Sequence, residues 1–534
     1  MNMGHSDLPI SRLQAAGRMV LLRWLMILVA LAVGVGVAGQ GVILEDSALE
    51  AAVREAIGKP SGEVSLQDLE NLEELRAFAA GITHLDGLEQ ALNLRVLDLE
   101  GNDLASAVPL ANLIGLEVLN LSRTGIRTMQ HLRKLVNLTD LRLAGNDIAD
   151  IEPLMSCLAL EVLWLQGNGI GNVSQLAAFT HLKILNLQGN FIRDLAPLRD
   201  LVELEELHLG DNRISDVGPL SGLRNLRELS LDDNDIQDLS PLSTLLDLEK
   251  LWLSKNDIAD LIALGALAKL RELDLDDNEI TDISPLADLT ALECLTLRSN
   301  VVSTIDALAA LLHLRVLDIS GNSVSQLTEL AAATKLTTLR AAGNQLQDIS
   351  LLASLTSLRV LNLDGNAFAD IASLCALTEL VSLRLMGNCI LDLEPLAELT
   401  ELRYLDISLN DVADLRPVAE CMALATLHAS ANRIDDIEPL AGLAGLSELD
   451  VSHNAIREVA PVARLEGLRV LDLAYNEIRD VAPLVEKMGA QLHRAEQIID
   501  LRGNYIDVTP GSPAMTVIEA LESAGASLLY EPQR

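Results

Sequence analysis

The chain has 534 residues and a formal net charge of −38 at pH 7, a balance that nucleic-acid backbones repel. Apolar residues make up 49% of it but aromatic residues only 2%, which excludes the ring-rich core of an ordinary large globular protein. Five scattered cysteines (Cys157, Cys294, Cys375, Cys389 and Cys421) make no disulfide framework, and four stand at or beside apolar repeat positions, as small core residues do.

The first element in chain order is a targeting segment, placed at residues 1–44. Arg12, Arg18 and Arg23 precede an apolar run from Trp24 to Gly39, and Glu45 and Asp46 follow it. Positive before and negative after orients the segment with its N-terminus in the cytoplasm and the remainder exported. The run is long for a signal peptide and short for a membrane span, so both a cleaved signal and an uncleaved anchor stay open. Membrane association is expected through this segment only.

Residues 45–66 predict a helical cap with an amphipathic helix. An array over residues 67–490 follows, opening on a divergent turn with Leu72, Leu75, Ile82, Leu85 and Leu88, where Ala80 replaces the usual asparagine. From Asn102, and then from Asn146 to Asn476, an asparagine recurs every 22 residues, missing only at Thr124. One copy reads Leu204, Leu207, Leu209, Asn212, Ile214, Asp216, Val217, Pro219, Leu220 and Leu223. The alternating L-x-L pair predicts a short strand with leucines inward, and stacked strands make a parallel sheet. One turn cannot hide its own leucines, so neighbouring turns complete the core. The asparagine predicts a buried amide satisfied by backbone groups of adjacent turns, a structural role. The aspartate four residues later suits a cap on a tight 3₁₀ or helical turn, and a calcium ladder is the alternative. Residues 491–534 predict a divergent last repeat and a C-terminal cap, with a helix near Thr516–Ser523 and a strand-like segment after it.

This pattern resembles the 22-residue class of leucine-rich repeats found in internalins and in a regulatory subunit of protein phosphatase 1, over roughly residues 66–510. The resemblance implies an α/β leucine-rich-repeat solenoid (horseshoe) of about 20 turns, with a concave parallel sheet and short 3₁₀ or helical convex segments.

Outward strand positions fall six, four and two residues before each asparagine. They carry Arg142, Trp164, Glu206, His208, Glu228, Asp232, Trp252, Asp274, Asp276, Arg298, Arg340, Arg384, Asp406, His428 and Asp450, and are the candidate partner-binding residues. Trp164 and Trp252 are expected to be exposed anchors, or else rings lying over their neighbours. The acids around Trp252 suit a basic protein partner, and Arg298, Arg340 and Arg384 divide the negative face into zones.

Other chemistry is weaker. Asp274–Asn278 resembles a calcium loop but has Glu279 where glycine is needed. Asp406, His428, Asp450 and Asp472 span too great a distance for one ion, leaving metal binding or a pH-sensitive patch as minor readings. His208, Ser230 and Glu206 lack the pocket and oxyanion donors of a hydrolase. The expectation is a monomeric, exported or membrane-tethered protein-binding scaffold, not an enzyme, with no cofactor, resident metal or nucleic-acid partner. A regulatory subunit of an enzyme such as a phosphatase, and a structural envelope component, are the alternatives.

Overall fold

In the computed structural model the described residues are 41–465, 467–488 and 497–534. Most of the expected targeting segment, up to residue 40, lies outside them, as does part of the insertion after Leu484. The chain forms two compact units, one ending at Ile126 and the other running from Arg127 to Arg534.

The first unit opens with Gly41 bridged to Ser65, and Leu44 is already buried. Helix α1 (Ser47–Ala56) places Leu49 and Val53, four residues apart, on one buried face. Helix α2 (Leu66–Glu70) starts in a Ser65–Asp68 capping box that the sequence reading missed. Strands β1 (Glu74–Arg76), β2 (Val96–Asp98) and β3 (Val118–Asn120) are parallel, with Leu75 opposite Leu97 and Leu97 opposite Leu119. Gly87 has φ 96°, and a Cβ there would lie 2.6 Å from the Ile43 carbonyl oxygen, so no side chain fits.

One carboxylate joins the cap to the first turn. Asp46 Oδ1 accepts from the Ala48 and Leu49 N–H groups at 2.9 and 3.0 Å, and Oδ2 from those of Thr83 and His84 at 2.7 and 3.0 Å. Partial burial alone would raise its pKa, but these hydrogen bonds outweigh it and hold the acid well below the ordinary carboxylate range. A depressed folded pKa stabilises the fold above the unfolded value, near 3.9, and the contribution fades as pH falls through the folded one. Asp46→Ala is therefore expected to destabilise the first unit by about 1–2 kcal/mol at neutral pH. Urea melts should show this gap shrinking steadily below about pH 4; a gap unchanged from neutrality to strong acid would refute the assignment.

The second unit stacks parallel three-residue strands 22 residues apart, among them β4 (Asp140–Arg142) and β5 (Val162–Trp164), with Leu141 opposite Leu163. The series continues to β20 (Gln497–Asp500) and β21 (Ala526–Leu529), which pair with each other. Its core is the predicted one: Leu204, Leu207, Leu209, Ile214, Val217, Leu220 and Leu223 are all at most 1% exposed. Burying each such side chain stabilises by about 1.5–3 kcal/mol. Helix α3 (Ala482–Met488) follows the last full turn, and α4 (Pro513–Ser523), capped by Ser512, covers the predicted C-terminal helix.

The asparagine column is a continuous amide ladder. Asn168 Nδ2 donates to the carbonyls of Leu165 in its own turn and Leu143 in the preceding one, at 2.9 and 3.0 Å, while its Oδ1 accepts from Ile148 N–H at 3.0 Å. Asn388 breaks the pattern: its buried Oδ1 has no donor, where Phe368 occupies the slot usually held by Ile or Val. The residue before each asparagine is left-handed, a requirement the sequence reading did not identify. Glycine meets it at Gly189 (φ 66°), whereas Lys255 and Leu409 adopt φ 53° and 56° at a cost of about 1–2 kcal/mol each.

Up to the last full turn, the strands of the second unit return through short 3₁₀ turns, some with proline near the start, such as Gly218–Gly222 and Ser240–Thr244. The periodic aspartate accepts the N–H two residues on, as Asp216 does from Gly218 at 2.8 Å and Asp414 from Arg416 at 2.9 Å. Ser106, Thr128 and Asn172 make the same bond at 3.2, 3.5 and 3.0 Å, so any short acceptor serves there. The cysteine expectation needs correction: Cys157 and Cys421 are core residues, Cys294 is half-buried, and Cys375 and Cys389 are exposed. The last two stand on the solvent sides of a 3₁₀ turn and of the bend after the asparagine, where the repeat leaves side chains uncovered.

Candidate protein-binding surface

In the three-residue strands of the second unit the central leucine is buried and most flanking residues lie at least partly at the surface, as in Glu206–His208. Asp406, expected to be outward and available, is instead only 4% exposed, packed beside Arg384 at 3.7 Å, and Ser230 is buried as well. Register brings them into rows: Arg142 beside Trp164, His208 beside Ser230, Ser230 beside Trp252, and Trp252 beside Asp274.

Both tryptophans, expected to be exposed anchors or rings lying over their neighbours, are half-buried. The Arg142 guanidinium lies 4.6 Å from the Trp164 ring centre while also pairing with Asp140 at 2.9 Å. The Trp164 Nε1 and Gln166 Oε1 atoms, both on this strand's outward side, are buried without partners.

Around Trp252 four of the acids, Glu228, Asp232, Asp274 and Asp276, are anchored. Glu228 pairs with Lys250 at 2.9 Å, and Asp232 accepts from the Ser230 hydroxyl at 2.8 Å and from Ser254 N–H at 3.1 Å. Ser230 thus donates to Asp232, not to His208, which separates the would-be hydrolytic trio. Asp274 accepts from the Thr296 hydroxyl at 2.6 Å, and Asp276 from Arg298 N–H at 2.7 Å. Burial, with repulsion from Asp274 and Asp318, pushes the Asp276 pKa up to about 6 despite that bond. Glu206 and His208 are half-buried in the same tract.

Further along, Arg384 is held by Asp364 at 2.7 Å and Asp406 at 3.7 Å, and lies 5.9 Å from the Tyr404 ring centre. His428 stands between Tyr404 Oη at 3.3 Å and Glu448 Oε1 at 3.1 Å, in register with Asp406 and Asp450. Its hydrogen-bonding partners are therefore different from the aspartates singled out in sequence. Burial raises the Asp472 pKa, and Asp450 and Asp500 add to the effect. Among the described residues, no three His, Cys, Asp or Glu side chains converge on a common metal position. Arg298 and Arg340 are exposed.

A lateral charge ladder escaped the sequence reading. In the second unit Lys183 pairs with Glu161 at 2.7 Å, Arg227 with Glu249 at 3.2 Å, and Glu293 with both Arg271 at 3.2 Å and Arg315 at 3.5 Å. Opposite charges one period apart at a single slot are its signature.

Leucine-filled turns behind a polar, charge-zoned strand face define a repeat solenoid. The family model for leucine-rich repeats (two copies) matches overlapping pairs of turns from 158–200 to 268–310, and again 334–376. Over these residues the chain is built of leucine-rich repeats. It is similar to a leucine-rich-repeat protein of Leptospira interrogans (24% identity, 73% of this chain and 97% of that one, TM-score 0.60). The leucine-rich-repeat ectodomain of a plant receptor kinase from Arabidopsis thaliana, solved with Casparian strip integrity factor 2, shares the fold at 22% identity (87% and 59%, TM-score 0.66). An internalin of Listeria monocytogenes matches at 26% identity over 78% of this chain and 99% of its own, with TM-score 0.41. No curated protein sequence matches significantly. Proteins of this build are commonly non-enzymatic interaction scaffolds. Among the described residues no helix is long and apolar enough to cross a membrane.

Proposed function

We propose that the chain is a protein-binding scaffold, exported or tethered through its N-terminal segment, that grips a protein partner with the outward strand face of its second unit. One observation carries this reading: at strand positions where the core demands leucine inward, the outward side collects Trp164, Trp252 and a tract of anchored acids instead of a uniform solvated surface. Half-buried tryptophans offer rigid apolar area, and the acids from Glu206 to Asp276 attract a basic patch and speed encounter. Export is inferred from the charge order around Trp24–Gly39.

The test is a pull-down from surface and extracellular proteins with the full chain, followed by titration of the captured partner against a Trp164→Ala/Trp252→Ala variant. Loss of each central anchor is expected to cost about 2 kcal/mol, so affinity should fall at least about 30-fold with the melting profile nearly unchanged. Undiminished binding by the double variant would reject this face as the site.

A further inference from the structure

On the 3₁₀ side of the second unit a cavity of about 320 Å³ opens between the turns Ser240–Thr244 and Ile262–Ala266. Leu239, Ile262, Ala263 and Ala266 give it an apolar lining, and Asp238 and Asp260 border it. Small residues create the space: Ala263 stands in the slot that Pro241 and Pro285 fill in the turns before and after. A Cβ on Gly265 would lie 3.1 Å from the Pro285 carbonyl oxygen, so this turn sits close against the following one and the gap lies on its other side. Ile262 is 74% exposed beside the gap. From Gln130 to Glu438 the other turns of the second unit place a polar residue, glycine or alanine in that slot, so neither core nor turn geometry calls for isoleucine there. The cavity stands near the lower end of ligand sites, about 300–1,000 Å³, a size for one side chain.

The charge around the cavity has one sign. Residues 234–244, 256–266 and 278–288 hold acids, among them Asp235, Asp238, Asp257, Asp260, Glu279 and Asp282, and no lysine, arginine or histidine. None of these six acids makes an ion pair among the described residues, and Lys255, two residues before Asp257, is held by Asp233 at 3.6 Å. Asp260 Oδ1 accepts the Ile262 N–H at 2.8 Å, which leaves its second oxygen open to a partner's cation. Screening limits attraction to about 8 Å, so these acids select charge carried immediately beside whatever enters the cavity. An acidic segment is repelled, and a basic one without an apolar side chain leaves the Ile262 surface in water.

We propose that this cavity receives one aliphatic side chain from a partner protein segment whose neighbouring residues are lysine or arginine. The side chain packs against Ile262, Ala263 and Ala266, and the flanking cations meet Asp238 and Asp260. This docking surface lies on the turn side of the repeat and stands independently of the strand-face reading.

The test titrates the full chain, isotope-labelled at its isoleucine methyl groups, with synthetic heptapeptides: leucine centred among lysines and arginines, serine centred among the same residues, and leucine centred among glutamates. The Ile262 methyl resonance is identified by its loss in Ile262→Ser, which installs the residue that Ser240 and Ser284 hold in the adjacent turns. The basic leucine peptide should shift that resonance and bind at least about tenfold more tightly than the basic serine peptide, with the acidic peptide not binding. Ile262→Ser should cut the preference for leucine at least about threefold. Asp238→Asn/Asp260→Asn keeps the turn caps, as Asn172 does in its own turn, and should weaken both basic peptides roughly fivefold. Equal affinity for the leucine and serine peptides, saturation with the Ile262 methyl unmoved, indifference to either variant, or no binding at all would each overturn the proposal. Binding lost in Trp252→Ala but intact in Ile262→Ser would also overturn it, placing the peptide on the strand face and leaving that reading standing.

Discussion

Replacing Asn256 with alanine is expected to cost the second unit about 3–5 kcal/mol, among the largest effects of any single polar substitution in the array. Its Nδ2 donates to Leu231 and Leu253 carbonyls, both at 3.0 Å, and its Oδ1 accepts from Ile236 N–H at 3.0 Å, all in buried surroundings. Alanine strands these backbone groups where water does not reach, and each stranded group costs about 1–3 kcal/mol before relaxation. Long arrays do not always unfold in one step, so the effect should be read locally, by hydrogen exchange of residues 231–256 alongside urea melts. Asn388→Ala provides an internal comparison: its oxygen already lacks a donor, so less is lost. Equal costs at the two positions, or a cost below about 1 kcal/mol at Asn256, would mean that the ladder contributes little.

Phe179→Ala is expected to be comparably damaging, by about 3–5 kcal/mol, through the cavity it leaves. Phe179 is fully buried at the end of a 3₁₀ turn, in a slot that Leu201 fills one turn later and the smaller Cys157 one turn earlier. A small neighbour cannot close over the vacated space, so collapse relieves little of the loss. Phe179→Leu restores the residue common at that slot and should cost less than about 1.5 kcal/mol. Urea midpoints for both variants decide the matter; equal destabilisation by Ala and Leu would show that ring shape, not cavity volume, sets the cost.

Much of this architecture is legible in the chain because a fixed 22-residue period repeats one environment many times. Leu204, Ile214 and Leu220 are buried for the same reason as their counterparts a turn away, and the asparagine and aspartate slots each make the type of bond their side chains imply. Terminal features were only partly visible. The Asp46 link to Thr83 and His84 joins residues 37 and 38 positions apart, outside any repeat, and no local pattern announces it. The left-handed residue before each asparagine is disguised where Lys255, Leu409 or Tyr475 stands in place of glycine. The alternation marked which strand positions point outward, but it did not foretell that Asp406 is buried or how the outward charges pair.

Period and alternation in the linear sequence are enough to say which side chains point inward, which point outward and where the chain turns, since those depend on slot alone. Which outward charges remain available to a partner depends on stacking. Arg384 meets Asp364, 20 residues away, only when successive strands lie in register with compatible side-chain rotamers, whereas Arg340 makes no ion pair among the described residues although Asp318 is its neighbour in register. Outward side chains are chosen neither by the core nor by the backbone ladder, so nothing in the repeat dictates their pairing; that emerges when the turns are brought to strand spacing.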